Sequence, residues 1–208
     1  MLQPGIDDYA YVTGLFPSQR VVHGMITLTS YHAPLEGEAG PATMNWWFPP
    51  LSPSPFSGDT EETQALVKLL KSGGLPAKYV TDIKTQLRLG SGLLMPLIAA
   101  LEDAEWKLDQ LREPERLALS AKAARQCLDI SLPRQVPLLK ALLTTPWLLS
   151  VILRIAPMVT PFNLEAMLKS HFTKVGLQTR VMLRDYIERA SPNQKADAVS
   201  ALLTRLKG

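Results

Sequence analysis

Two rhythms of apolar and polar residues divide this chain. Up to about residue 82 the apolar runs are short and bounded by Gly, Pro and Ser; beyond it they recur every three or four residues. Asp7 to Phe16 (DDYAYVTGLF) predicts a short helix with acids near its positive end. Arg20 to Tyr31 is rich in Val, Ile, Thr and Tyr and predicts a strand, and Ala42 to Phe48 predicts a second. Pro34 to Pro41 reads as a loop between them. The proline knot at 49–55 is expected to end the second strand, because proline cannot serve a central ladder. Asp59 or Thr60 then caps a helix with acids in its first turn and Lys68 and Lys71 in its last, stopped by Gly73-Gly74. Lys78 to Val80 predicts a short strand. Strand, strand, helix, strand is part of an α/β pattern.

From Ile83 to Leu111 the spacing of Leu87, Leu94, Leu97, Ile98, Leu101, Trp106 and Leu108 predicts a helix. Gly90 and Gly92 weaken it, and Pro96 is expected to kink it. Pro114 suits the first turn of a helix running to about Leu132. A helical pair spans 137–159, Asn163 opens a long helix to Ala190, and Asn193 begins a final one. The expected architecture is an α/β remnant, a partial nucleotide-binding-type sheet, over 1–82, followed by an all-α domain over 83–208. Most of the chain is helical in this reading.

Charge follows the same division. Residues 1–82 hold eight acids and four bases, net −4; the rest of the chain holds eighteen bases and eleven acids, net +7. The total of +3 is too small to suggest nucleic-acid binding by itself. The basic second half reads either as a solvated helical surface or as one that presents cations to an anionic small molecule. Ten of the seventeen prolines fall in the first hundred residues.

The single cysteine, Cys127, excludes an internal disulfide and any zinc site needing two thiolates, and it reads as inert core. Three histidines at 23, 32 and 171 have no paired spacing, so no metal site is expected. The greasiest stretch, Leu138 to Val159, has an uncharged run of only 13 residues, against about 20 for a membrane span. It is expected to be a buried helical hairpin. With no basic and apolar leader at the start, the expected setting is cytoplasmic, without a membrane partner.

No G-x-G-x-x-G, P-loop or G-x-S-x-G motif is present, and Leu89-Gly90-Ser91-Gly92 sits in a helical pattern, where a kink or close packing is expected. The 163–190 helix is more informative. Its wheel places His171, Lys174 and Gln178 on a polar strip bordering the apolar arc rather than opposite it. Such groups bond to a neighbouring helix, reach solvent, or form a cleft wall.

The order of these features resembles the ketopantoate reductase (2-dehydropantoate 2-reductase) family. Leu2-Gln3-Pro4-Gly5 is similar to its L-Q-N-G turn, and Arg20-Val21-Val22-His23-Gly24 to its R-V-x-x-G strand. Phe56-Ser57-Gly58, Gly73-Gly74-Leu75-Pro76-Ala77 and Val80-Thr81-Asp82-Ile83 resemble segments around its domain junction. Met95 to Glu102 and His171 to Arg180 are similar to segments of a divergent branch. The resemblance covers nearly the whole chain. It implies an NADPH-dependent 2-oxo acid reductase with a Rossmann-like half and a helical domain of the 6-phosphogluconate dehydrogenase C-terminal type.

It also implies a deficit, since the family's glycine-rich loop would precede the L-Q-N-G turn by roughly ninety residues. The chain is therefore expected to be N-terminally truncated and unable to bind NADP alone. The family asparagine is Pro4 here, and neither Lys84 nor Arg88 keeps the register of the family's lysine. Ser91 best matches a further asparagine, while the later serine and glutamate have no match. By resemblance, Lys174, Lys84 and Arg88 are the candidate catalytic cations. His171, Gln178 and Ser91 are candidate substrate contacts, and Gln3, Pro4 and Gly5 candidate cofactor contacts. The partner would be a small 2-oxo acid, with a homodimer possible. Two alternatives remain. One is a non-catalytic helical interaction or dimerisation module, with Trp46, Trp47 and Phe48 as an apolar edge; the other is a protein binding an anionic small molecule on the 171/174/178 strip.

Overall fold

Short apolar runs in the first third of the chain build two small sheets. The computed structural model describes residues 1–2 and 5–206. Helix α1 (Asp8–Leu15) precedes a 3-10 turn over Ser18–Arg20 and strand β1 (His23–Gly24). The Arg20–Tyr31 stretch, expected as one strand, is broken after Gly24. Its far end becomes β2 (Thr29–Ala33), which pairs antiparallel with β3 (Thr43–Trp47). Thr27 accounts for the break: its hydroxyl donates to the Ser52 carbonyl at 2.5 Å and its amide to Ser54 Oγ at 3.2 Å. Bonds involving side chains replace the ladder there.

Strand β4 (Ser54–Ser57) lies where the prolines were expected to end strand structure. It is the centre of a three-stranded sheet, antiparallel to β1 and parallel to β5 (Ala77–Tyr79). Pro55 is tolerated because its backbone faces β1, where its carbonyl accepts from Met25 just past the strand end. The missing N–H therefore leaves the β5 side intact, where Ser54 donates to the Pro76 carbonyl and Val80 to that of Phe56. Helix α2 (Thr60–Ser72) makes the crossover from β4 to β5, as parallel pairing requires. The Asp59 carboxylate caps it by accepting from the Glu61 amide at 3.2 Å. Phe56, Val67 and Ala77 form the small core beneath.

Beyond β5 the chain is helical: α3 (Lys84–Asp103), α4 (Leu108–Leu111), α5 (Pro114–Ser131), α6 (Pro137–Leu143), α7 (Pro146–Val159), α8 (Leu164–Lys174), α9 (Gly176–Arg189) and α10 (Asp197–Arg205). The architecture is thus an α/β segment followed by an all-helical one. By contacts the chain divides into two compact units, Met1–Ala33 with Gly40–Arg88, and Pro34–Ala39 with Leu89–Gly208. The division falls inside α3, a little past the boundary at Asp82 read from the sequence. Two helices are shorter than the periodicity predicts. Glu105 and Trp106, at φ 52° and 64°, end the run that began at Ile83. Val175 (φ −110°, ψ 21°), followed by Gly176, breaks the expected 163–190 helix into α8 and α9.

Helix α5 is the spine of the helical unit, with Ala123, Ala124, Cys127 and Leu128 fully buried. A Cβ at Gly92 would lie 2.7 Å from Leu128 Cδ2, so that glycine serves close packing of α3 on α5. Burial pushes the Cys127 thiol far above its usual range, so it is inert at neutral pH. Lys140, only 2% exposed, anchors α6 by donating to the Leu132 carbonyl at 2.7 Å and pairing with Asp129 at 2.8 Å. Burial alone would raise the Asp129 carboxyl, but bonds from Lys140 and Arg125 outweigh it and hold it low.

The α6–α7 hairpin departs from its expected burial. Leu149 is the buried residue of α7, packed with Leu117 and Ala121, while Trp147, Ile155 and Met158 are exposed. No single described helix is long and apolar enough to cross a membrane; α6 and α7, bent by 59°, pass that test only as a pair.

Candidate functional site in the α/β unit

Helix α3 begins against the local electrostatic preference. A helix N-terminus carries partial positive charge and favours acids, yet the first turn of α3 has none and opens with Lys84. Asp82 satisfies one orphan donor, accepting from the Lys84 amide at 2.9 Å. The Lys84 ammonium itself lies 4.4 Å from the centroid of the Tyr9 ring. Tyr9 in turn is stacked on His23, with centroids 5.1 Å apart and planes at 21°. Helix α1 therefore inserts one aromatic ring between a strand histidine and a helix lysine.

Two adjoining cavities, of about 330 and 170 Å3, share Tyr9, His23 and Lys84 as a common wall. The larger is edged by Ser57 and Gly58 at the start of α2, the smaller by Gly5 and Arg88. Acids line the cleft as well, but two are engaged with backbone amides. Asp59 caps α2 and Asp82 caps α3, while Asp7 edges the smaller cavity. Among the described residues the Lys84 ammonium has no carboxylate partner. It is a cation at the cleft wall held by a ring instead of by an acid.

The structure brings together three of the residues singled out by resemblance: Lys84, Arg88 and Gly5. Gln3 and Pro4 lie outside the described residues. Ser91 is buried in the helical unit, its hydroxyl 3.0 Å from Tyr186 Oη, so it packs as core. His171 and Lys174 fall in the last turn of α8 and Gln178 in the first turn of α9. All three are exposed, and none lines either cavity. The wheel that joined them assumed one continuous helix. Where protein borders it, shielding from water, and then the Lys174 ammonium, hold the His171 imidazole below its ordinary pKa. Tyr9 was not foreseen, and His23 was read only as a strand residue. The one signal in the sequence was a histidine in an otherwise apolar run.

By resemblance, the turn of Gln3, Pro4 and Gly5 would contact the cofactor. The Gly5 amide is already taken by the Asp8 carboxylate, and a Cβ on Gly5 would sit 2.5 Å from Asp8 Oδ2. Of Gln3, Pro4 and Gly5, only Gly5 is described, and its engaged amide offers a phosphate no open donor. Among the described residues no cluster of three or more His, Cys, Asp or Glu side chains could hold a metal ion.

A third concavity, of about 310 Å3, lies in the helical unit beside the N-terminus of α8. Both of its lysines are paired. Lys169 pairs with Glu36 at 2.6 Å, and Lys107 with Glu165 at 3.3 Å. Glu165 also accepts from the Leu108 amide at 2.7 Å. It offers no comparable cation held without an acid, which leaves the Lys84 cleft as the candidate site. Compared with family models, curated proteins and solved structures, the chain matches none of them.

Proposed function

We propose that this chain binds a small 2-oxo acid in the cleft of its α/β unit, as a relative of the NADPH-dependent 2-oxo acid reductases that does not take NADP through its own residues. One observation carries the reading: Lys84 is held at the cleft wall by Tyr9 rather than by a carboxylate. Placing a cation at the start of a helix costs local stability, and such violations mark functional positions. An incoming carboxylate supplies the partner that the fold withholds. Arg88, four residues on, falls on the same helix face and edges the smaller cavity. Hydride transfer forms no part of this proposal; the Gly5 amide, bonded to Asp8, offers the cofactor no open donor.

Calorimetric titration with 2-oxoisovalerate tests the reading, with the corresponding alcohol lacking both oxo and carboxylate groups as control. Saturable binding of the acid alone, lost in Lys84→Gln, is the expected result. Equal heats for acid and alcohol, or binding unchanged in Lys84→Gln, would overturn it. Nicotinamide fluorescence checks the cofactor: saturable micromolar NADPH binding by the chain alone would contradict the reading that it does not take NADP.

A further inference from the structure

Helix α7 is apolar on both sides, yet only one side is covered. Leu149 and Leu153 face inward, packed against Leu117 and Ala121. The opposite side carries Trp147, Ile152, Ile155, Met158 and Val159, all exposed, and α6 adds Leu138 and Leu142. Leu138 is 85% exposed, Trp147 71% and Met158 80%. A helix hydrophobic all round is normally enclosed on every side. At the usual areas of such side chains, this face presents on the order of 900 Å2 of apolar surface, above the few hundred Å2 of an ordinary monomer patch and close to the ~800 Å2 each partner contributes to a stable interface.

We propose that the α6–α7 face is a homodimer interface, occupied by the same face of a second copy of this chain. Charge decides among occupants. Residues 137–159 contain no acid, and their bases are Lys140, buried against Asp129, and Arg154. One exposed cation is too little to select an acidic peptide. Interfacial helices on anionic lipid carry a Lys/Arg-rich polar face, whereas the other side of α7 is packed into protein. A nearly neutral apolar face is complementary to itself, and a two-fold axis buries it twice in one contact. The surface is also shaped for helix packing. Trp147, Val151, Ile155 and Val159 form one four-residue ridge, which interdigitates with its own copy in the commonest class of helix crossing.

Sedimentation and light scattering on the full chain test this, alongside Trp147→Glu, Ile155→Glu and, as a control, Trp46→Glu in β3. The wild type and Trp46→Glu should run at twice the chain mass of 23.0 kDa. Either α7 substitution should raise the dimer dissociation constant roughly a hundredfold or more, with helix content unchanged by circular dichroism. Both positions are exposed, so loss of fold would not explain the result. Ile155→Cys, near the centre of the face, should form an intermolecular disulfide under mild oxidant. A monomeric wild type, a dimer indifferent to both α7 substitutions, or a monomer that sediments with anionic vesicles would each overturn the proposal.

Discussion

The Lys84 ammonium rests over the Tyr9 ring at 4.4 Å and pairs with no carboxylate among the described residues. A cation–π contact at an exposed position is worth about 0.5–1 kcal/mol, enough to bias the side chain's orientation without neutralising it. Tyr9→Ala should therefore weaken 2-oxo acid binding only about two- to fivefold, by releasing Lys84 to solvent. Lys84→Gln should weaken it tenfold or more. Calorimetry on the two variants checks the ranking; the reverse order would mean that the ring, not the charge, holds the ligand.

Gly58 turns the chain from β4 into α2 at φ 155°, where a Cβ would meet Thr63 Oγ1 at 2.9 Å and the Val21 carbonyl at 3.1 Å. Gly58→Ala should cost about 1–3 kcal/mol, read from the urea midpoint. Gly90 gives the contrast. It lies inside α3 with open space around its missing Cβ, so Gly90→Ala should stabilise by about 0.5–1 kcal/mol.

Gln126 on α5 acts as the N-terminal cap of α10 from another helix. Its Oε1 accepts from the Ala198 amide at 3.0 Å, and its Nε2 donates to Asp197. The Lys122 ammonium, then Gln126, hold the Asp197 carboxyl down at about 2. A depressed carboxyl stabilises the fold above its ordinary value of 3.8, and that contribution is lost as pH falls through about 2. Asp197→Asn should flatten the stability profile over this window. A carboxyl resonance of Asp197 titrating at its ordinary value would refute the assignment.

The imidazole of His171 should titrate below its ordinary 6.5, because shielding from water and then Lys174 both disfavour its charged form. The sign follows: the stabilisation is present above 6.5 and is lost as pH falls through the depressed value. Lys174→Ala should raise the titration point but not restore it fully, since the charge is the smaller cause. Following the ring proton by NMR in both proteins checks this.

Much of the fold was legible in local chemistry. Asp59 with Gly73-Gly74 bounds α2 to within a residue or two, and Pro114 opens α5 as its fixed φ predicts. The failures were tertiary. β4 was hidden because Pro55 looks prohibitive until its missing N–H is found to face the end of β1. The polar strip 171/174/178 was an artefact of extending one helical wheel through Val175 and Gly176. Trp147 and Met158 read as core because apolarity in sequence does not say which side has a partner. At the candidate site, Lys84 and Arg88 stood out in the sequence only as cations near, but out of register with, the family's lysine, whereas Tyr9 and His23 became visible only when α1, β1 and the start of α3 converged.

Binding of a small anion at Lys84 in the α/β unit is tested most directly by backbone and side-chain NMR shift mapping while 2-oxoisovalerate is titrated into the full chain. Saturable shifts clustered at Gly5, Tyr9, His23, Gly58 and Lys84, absent in Lys84→Gln, are the expected result. Shifts centred on His171, Lys174 and Gln178, or no saturable shifts, would contradict it.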